Sequence, residues 1–96
     1  MAQPILSRRA ESDLTEILLF IARDKPSAAS SFLSQIEERF ALLGRHPSVG
    51  EARSNLGSDV RSFTFGNYAI FFRALGQTVE IIRVLHGSRD IRSLDS

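Results

Sequence analysis

The sequence predicts an α+β domain in which a helical hairpin packs on a mainly antiparallel sheet, in the order β-α-α-β-β-β. Apolar residues recur at spacings of three and four in two consecutive segments of the first half, which is typical of amphipathic helices. Two-residue turn signals separate β-branched and aromatic runs in the second half, which is typical of β-hairpins. A chain of 96 residues suits one domain, which we expect to span 1–96.

The first element predicted is a brief strand at Pro4-Ile5-Leu6, followed by a helix from Arg8 to Arg23. Ser7 is placed to cap that helix. Its apolar stripe is formed by residues at helical spacing, namely Ala10, Leu14, Ile17, Leu18 and Ile21. Its polar face is formed by Arg9, Asp13, Glu16 and Arg23. Leu19 and Phe20 widen the stripe, which indicates either contact with the second helix or a surface for a partner.

The second helix begins at Pro26, because proline is tolerated at the first helical position. Its apolar positions repeat at three and four residues, namely Ala28, Ala29, Phe32, Leu33, Ile36, Phe40 and Leu43. Gly44 is predicted to stop this helix. The short break before Pro26 makes the two helices an antiparallel hairpin. The segment 45–59 is predicted to be a loop.

Three strands are predicted after the loop, at 60–65, 68–75 and 79–85. Gly66-Asn67 and Gly76-Gln77 are the turns between them, and the second turn pairs Arg73 with Glu80. The aromatic face of the first two strands, which is expected to pack on the helices, consists of Phe63, Phe65, Tyr68, Ile70 and Phe72. Arg61 and Arg83 fall on that same face, so they lie at its rim or a bulge shifts the register.

The composition excludes several classes of protein. With 43% hydrophobic and 24% charged residues, the chain is expected to be globular. It has no cysteine and only two separated histidines, so neither a disulfide nor a metal site is expected. No cofactor motif is present. No targeting segment or long apolar run is visible, which predicts a cytoplasmic protein without membrane contact. A net charge of +1 provides no global field that draws the chain to nucleic acid, and direct sequence-specific DNA binding is not expected.

Eleven of the twelve basic residues are arginine, a bias that a high-GC genome also explains. Five polar residues form the candidate site, namely Arg53, Arg61, Arg83, His86 and Arg89. Such a group can bind phosphate and cleave RNA with His86 as acid or base, or it can bind a protein. It can also be structural, with Arg61 and Arg83 tied to carboxylates such as Asp90 and Glu80.

The sequence resembles the ParE branch of the RelE/ParE toxins of bacterial type II toxin–antitoxin modules. The resemblance covers nearly the whole chain. Its most specific pieces are Tyr68-Ala69-Ile70-Phe71-Phe72-Arg73 and Arg83-Val84-Leu85-His86-Gly87-Ser88-Arg89-Asp90. It also includes Ala10-Glu11-Ser12-Asp13-Leu14 in the first helix and Val60-Arg61-Ser62-Phe63 in the first long strand.

The resemblance implies a toxin that is neutralised by a cognate ParD-like antitoxin, whose C-terminal segment wraps it. ParE-type toxins inhibit DNA gyrase, whereas RelE-type toxins cut mRNA on the ribosome with Lys, Arg and a C-terminal Tyr or His. This chain departs from the second pattern, since Lys25 lies between the helices and Tyr68 lies at a hairpin. A gyrase-binding inhibitor with no catalytic step is therefore the leading interpretation. A ribosome-dependent mRNA endoribonuclease that uses His86 remains the alternative.

Two surfaces follow from these expectations. The target-binding surface comprises the five polar residues Arg53, Arg61, Arg83, His86 and Arg89. The antitoxin-binding surface is expected on the helical hairpin and comprises the apolar residues Leu18, Leu19, Phe20, Phe32 and Ile36.

Overall fold

The computed structural model describes residues 3–87, which form two α-helices, a short 3₁₀ helix at Ser54–Leu56 and a five-stranded sheet. The helices are α1 (Arg8–Asp24) and α2 (Pro26–Arg45). The strands are β1 (Ile5–Leu6), β2 (Glu51–Ala52), β3 (Arg61–Phe65), β4 (Tyr68–Leu75) and β5 (Thr78–His86).

The sheet has the strand order β1-β5-β4-β3-β2. The β1–β5 pair is parallel and the remaining pairs are antiparallel. The predicted α+β class and the helical hairpin on a mainly antiparallel sheet are therefore confirmed. Strand β2 was missed, because its two residues are too few to show an alternating pattern and the surrounding Gly and Pro residues are typical of a loop.

The ends of α1 and the start of α2 follow from local chemistry. The side chain of Ser7 accepts a hydrogen bond from the backbone N–H of Ala10 at 3.0 Å, as the predicted cap requires. Lys25 separates the helices, and its N–H donates to the carbonyl of Ile21 at 3.0 Å. Pro26 then opens α2 at the predicted position. One residue between the helices fixes them as a tight hairpin.

Gly44 does not stop α2, which continues to Arg45, so that prediction is wrong. A Cβ atom at position 44 would lie 3.1 Å from Cγ of Pro4 and 3.3 Å from Oγ1 of Thr78. The glycine is therefore explained by the close approach of α2 to the sheet and not by a change of backbone direction.

One hydrophobic core joins the two layers. The helices contribute buried side chains from Ala10, Ile36, Phe40 and Leu43. The sheet contributes Ile70, Phe72, Val79, Ile81 and Val84 from its two central strands, β4 and β5. Phe63, Phe65 and Tyr68 pack against this core, as the predicted aromatic face requires.

Both predicted hairpins are present, since Phe65 pairs with Tyr68 and Leu75 pairs with Thr78. The register between β4 and β5 shifts once, so that Phe71 lies opposite Arg83 whereas Phe72 lies opposite Ile81. This irregularity inserts one residue into β5 and takes Arg83 out of the aromatic row. It is one of the two alternatives that the sequence left open for Arg83.

Candidate functional site

Arg83 lies at the edge of the sheet and binds Asp13 of α1. Its Nε and Nη2 atoms donate to the two carboxylate oxygens of Asp13 at 2.8 and 2.9 Å. The same carboxylate accepts the backbone N–H of Val84 at 3.0 Å. Strand β1 pairs with β5 only at Glu80 and Ile81, so the edge beyond them lacks a described strand partner. The carboxylate of Asp13 therefore closes the β5 edge where β1 stops.

Asp13 was expected on the wet face of α1, but it is only 8% exposed. It lies three residues after the buried Ala10, so it shares that part of the helix circumference. One alternative from the sequence gave Arg83 a carboxylate partner such as Asp90 or Glu80, and the structure shows Asp13 as a partner. Glu80 binds Arg73 across the hairpin at 2.9 Å, as predicted. Asp90 lies outside the described residues.

Arg61 and Arg53 fasten the loop after α2 to β3. Arg61 donates to the backbone carbonyls of Val49 and Gly50 at 2.9 and 3.0 Å. Arg53 donates through Nε to the hydroxyl of Ser62 at 2.9 Å. The structural alternative tied Arg61 to a carboxylate, whereas the guanidinium donates to two backbone carbonyl oxygens.

His86 ends β5 and is exposed. Its ring meets the ring of Tyr68 edge to face, with centroids 5.1 Å apart. Burial raises the pKa of the Tyr68 phenol above its ordinary value of 10.0. An open cavity of about 400 Å³ lies beside both rings at the end of the β3–β4 hairpin, where Asn67 and Thr64 also line it.

The predicted target-binding residues do not form one cluster. Arg53 follows β2 and Arg83 lies on β5, three strands away, so their backbones are separated by roughly 14 Å. His86 lies further along β5, and Arg89 lies outside the described residues. Arg53 and Arg61 lie together at the β2–β3 end of the strand order. Arg83 and His86 lie together on β5, near the opposite end.

The predicted antitoxin-binding residues differ widely in exposure. Leu19 and Phe20 are 62% and 69% exposed, whereas Leu18 and Phe32 are partly buried. Ile36 is fully buried in the core, so its side chain offers no surface to a partner, and its assignment was wrong. Ile36 lies on the same periodic stripe as Phe32, and the sequence does not tell which residue of a stripe reaches the surface.

An open groove lies at the closed end of the helical hairpin. Its volume is about 530 Å³, and Ile21, Lys25, Ala28 and Phe32 are among the residues that line it. The ring of Phe32 also contacts Phe65 and Tyr68, with centroids 5.4 and 5.3 Å apart. Phe32 therefore joins the groove to the sheet.

Arg39 was missed by the sequence analysis. Its guanidinium lies over the ring of Phe65, 5.4 Å from the centroid, which is the geometry of a cation–π contact. In the sequence Arg39 is one of several polar residues on α2 and carries no distinguishing signal. Only the packing of α2 on β3 places it beside an aromatic ring.

These features define a small two-layer α+β domain whose exposed apolar side chains and open groove suit contact with another protein. Residues 5–91 match the family described as "ParE toxin of type II toxin-antitoxin system, parDE". The chain belongs to this family, and it is the toxin component of a type II toxin–antitoxin system.

Individual relatives agree with this assignment. Toxin ParE1 of Caulobacter vibrioides is 34% identical over 89 residues, which cover 92% of each chain. Toxin ParE3 of the same organism is 28% identical over 95% of this chain and 92% of its own length. A solved chain from the work titled "Chromosomal ParDE TA system from P. aeruginosa" superposes with a TM-score of 0.73 at 23% identity, covering 92% of this chain and 98% of that one. That structure shows the same fold. The resemblance drawn from the sequence is therefore confirmed.

Proposed function

We propose that this toxin inhibits DNA gyrase by binding it, without a catalytic step of its own, and that a cognate ParD-like antitoxin neutralises it. The observation that carries the proposal is that three arginines of the candidate site, Arg53, Arg61 and Arg83, are each held by other groups of the chain. The proposed function requires a cytoplasmic protein, because gyrase and its DNA are in the cytoplasm. Among residues 3–87, neither helix is long and apolar enough to cross a membrane.

Cleavage of RNA requires cationic donors and a proton-transfer group that converge on one phosphate. Arg83 is bidentate to Asp13, and Arg61 is bidentate to two backbone carbonyls. Moving Arg83 to a phosphate would leave the buried carboxylate of Asp13 without its partner, which is strongly unfavourable. The described arginines therefore suit a fixed surface better than a catalytic cluster.

Two side chains near the end of β5 bear on the alternative, a ribosome-dependent mRNA endoribonuclease. Burial raises the pKa of the Tyr68 phenol above its ordinary value of 10.0, which makes the phenolate form that a general base requires less accessible. His86 is exposed beside the cavity at the hairpin end, which is the observation that favours the alternative. Substitution of His86 separates the two functions.

The proposed antitoxin contact is supported by the helical hairpin. Leu19 and Phe20 expose large apolar side chains beside one another on α1. Neighbouring exposed apolar side chains of this size are typical of protein-binding surfaces. The groove lined by Ile21 and Phe32 at the end of the hairpin suits the apolar face of a partner helix.

His86→Gln is the substitution that tests the absence of a catalytic step. We expect the concentration for half-maximal inhibition of gyrase supercoiling to change by no more than about threefold, because an exposed residue is replaced by another hydrogen-bonding one. His46→Gln is the matched control, since His46 caps α2 and lies outside the candidate site. The same proteins are assayed for mRNA cleavage on purified ribosomes.

A nuclease that uses His86 as acid or base would lose about a hundredfold in cleavage rate in His86→Gln and nothing in His46→Gln. Ribosome-dependent cleavage with that pattern, together with unchanged gyrase supercoiling at micromolar toxin, would replace the proposed function by the alternative.

A further inference from the structure

The outer face of α1 carries four exposed side chains in a symmetric order, namely Glu16, Leu19, Phe20 and Arg23. Residues that are three, four and seven positions apart share one face of an α-helix. The four side chains therefore form one line along the helix, which we call the outer stripe. It has an acid at one end, two large apolar side chains in the middle and a base at the other end.

The outer stripe is directed away from the rest of the domain. Leu14 and Ile17 of the same helix pack against the core. With about 3.6 residues per turn, the centre of the stripe lies roughly 140° around the helix from them. Leu19 and Phe20 are 62% and 69% exposed, so no described element covers them.

The two charges of the outer stripe are not engaged within the domain. Among residues 3–87, neither Glu16 nor Arg23 takes part in a salt bridge. They are seven residues apart, which is roughly 10 Å along the helix axis, so they do not pair with each other. Both charges are therefore available to another molecule.

The order of the outer stripe makes it complementary to itself. Consider two copies of α1 that lie antiparallel, with a twofold axis midway between Leu19 and Phe20. Glu16 of one copy then faces Arg23 of the other, because the two positions are equally far from the axis in sequence. Leu19 of one copy faces Phe20 of the other, and every contact occurs twice, as in an isologous interface.

Other arrangements and other partners fit the outer stripe less well. Parallel helices would place Glu16 against Glu16 and Arg23 against Arg23, and such like-charge contacts are unfavourable. An anionic membrane surface or a nucleic acid would be repelled by Glu16, which lies on the midline of the stripe. A second copy of this chain satisfies both charges and covers both apolar side chains.

We propose that two copies of the toxin associate through the outer stripes of their α1 helices, antiparallel about a twofold axis between Leu19 and Phe20. The four apolar side chains at the centre supply the affinity, and the two Glu16–Arg23 pairs fix the orientation. The interface is small, so we expect a dissociation constant on the order of 10 µM. In one respect this rests on the proposed function: an antitoxin that covers Leu19 and Phe20 displaces the second copy.

Sedimentation equilibrium of the toxin alone tests the association. Between roughly 1 and 300 µM, we expect the average mass to rise from near 10.7 kDa toward twice that value. Phe20→Ser should weaken association by at least about tenfold, because it removes the largest apolar contact. Leu75→Ser is the matched control, since Leu75 is an exposed apolar residue at the far end of β4.

Charge reversal tests the antiparallel order. Glu16→Arg and Arg23→Glu each create two like-charge contacts, so each should weaken association by about tenfold, and less at high salt. The double variant restores opposite charges across the axis and should associate within about twofold of the parent. Glu38→Arg, a reversal at an exposed position of α2, is the control. Thermal melting shows which variants fold.

A cysteine substitution tests which residues meet. The chain has no cysteine, so Leu19→Cys can be crosslinked only through position 19. Because this position adjoins the proposed axis, a short thiol-specific crosslinker should join two copies of Leu19→Cys but not two copies of Glu38→Cys. The full-length ParD-like protein encoded with the toxin should suppress the crosslink.

The outcomes separate the dimer from the proposed function. A monomeric mass up to roughly 300 µM without crosslinking of Leu19→Cys would overturn the dimer and leave the antitoxin contact standing. A double charge variant that stays as weak as the single variants would contradict the antiparallel order. Crosslinking that persists in a complex with the ParD-like protein would remove the antitoxin from this surface and leave the dimer intact. If Phe20→Ser fails to fold, the charge variants and the crosslink decide.

Discussion

The two edges of the sheet are closed by different means. At β5 a buried carboxylate of α1, from Asp13, takes both the guanidinium of Arg83 and a backbone N–H. At β3 an exposed two-residue strand covers half the edge, and Arg61 and Arg53 hold the adjoining loop. The first closure is buried and specific, and the second is exposed and pairs only Arg61 and Ser62 of β3.

The difference shows how a small domain separates stability from binding. Closure of the β5 edge lies beside the core residues Ile81 and Val84, so its loss disturbs the whole fold. The β3 edge is joined to the core through the partly buried rings of Phe63 and Phe65. Substitutions at the two edges should therefore differ in size and in what they affect.

Val84→Asp has the largest expected effect, because it places a carboxylate at a position that is fully buried. We expect a loss of at least about 4 kcal/mol in the free energy of unfolding, enough to unfold a domain of this size near 37 °C. Circular dichroism with thermal melting measures it. A variant that melts cooperatively near the parent temperature would contradict the central position of β5.

Asp13→Ala is next, since it removes the buried carboxylate that binds both the partly buried guanidinium of Arg83 and the N–H of Val84. The expected loss is about 3–5 kcal/mol by urea denaturation. Asp13→Asn keeps an acceptor for Val84 and should lose less. Glu16→Ala, an exposed acid one turn along α1, is the control. Equal stability of Asp13→Ala and Glu16→Ala would show that the β5 edge is not closed by this carboxylate.

Arg61→Ala should loosen the loop at the β3 edge without unfolding the domain. Two hydrogen bonds from a partly exposed cation are lost, which corresponds to about 1–2 kcal/mol. Hydrogen exchange should quicken in 46–60 and remain unchanged at Val84. Faster exchange at both places would mean that the two edges are coupled.

Arg73→Ala has the smallest expected effect, below about 1 kcal/mol, because its bond to Glu80 is half exposed. The difference from the parent in urea midpoint should shrink as salt rises. A loss comparable with that of Asp13→Ala would show that exposed and buried pairs contribute alike in this sheet.

Much of the fold was predictable, because its signals are local. The cap at Ser7, the proline at the start of α2 and the turns at Gly66 and Gly76 each act within a few residues. The aromatic face of β3 and β4 followed from alternation. The cross-strand pair of Arg73 and Glu80 followed from the length of one turn.

The candidate site was predicted less well, because its contacts join distant parts of the chain. Asp13 and Arg83 are 70 residues apart, and no spacing rule connects them. Arg61 binds backbone carbonyls, which carry no residue-specific signal. Ile36 and Phe32 occupy one helical stripe, but only Phe32 lines a groove.

The sequence by itself determined the helical hairpin, the order of the long strands and the toxin family, because periodicity, turn residues and motif spacing are properties of neighbouring residues. The tertiary structure decided which arginines are engaged, which apolar residues remain exposed, why position 44 is glycine and how each edge of the sheet is closed. Those outcomes depend on how α1 and α2 lie across the sheet. Packing between distant residues therefore sets which surfaces of this toxin are available to a partner.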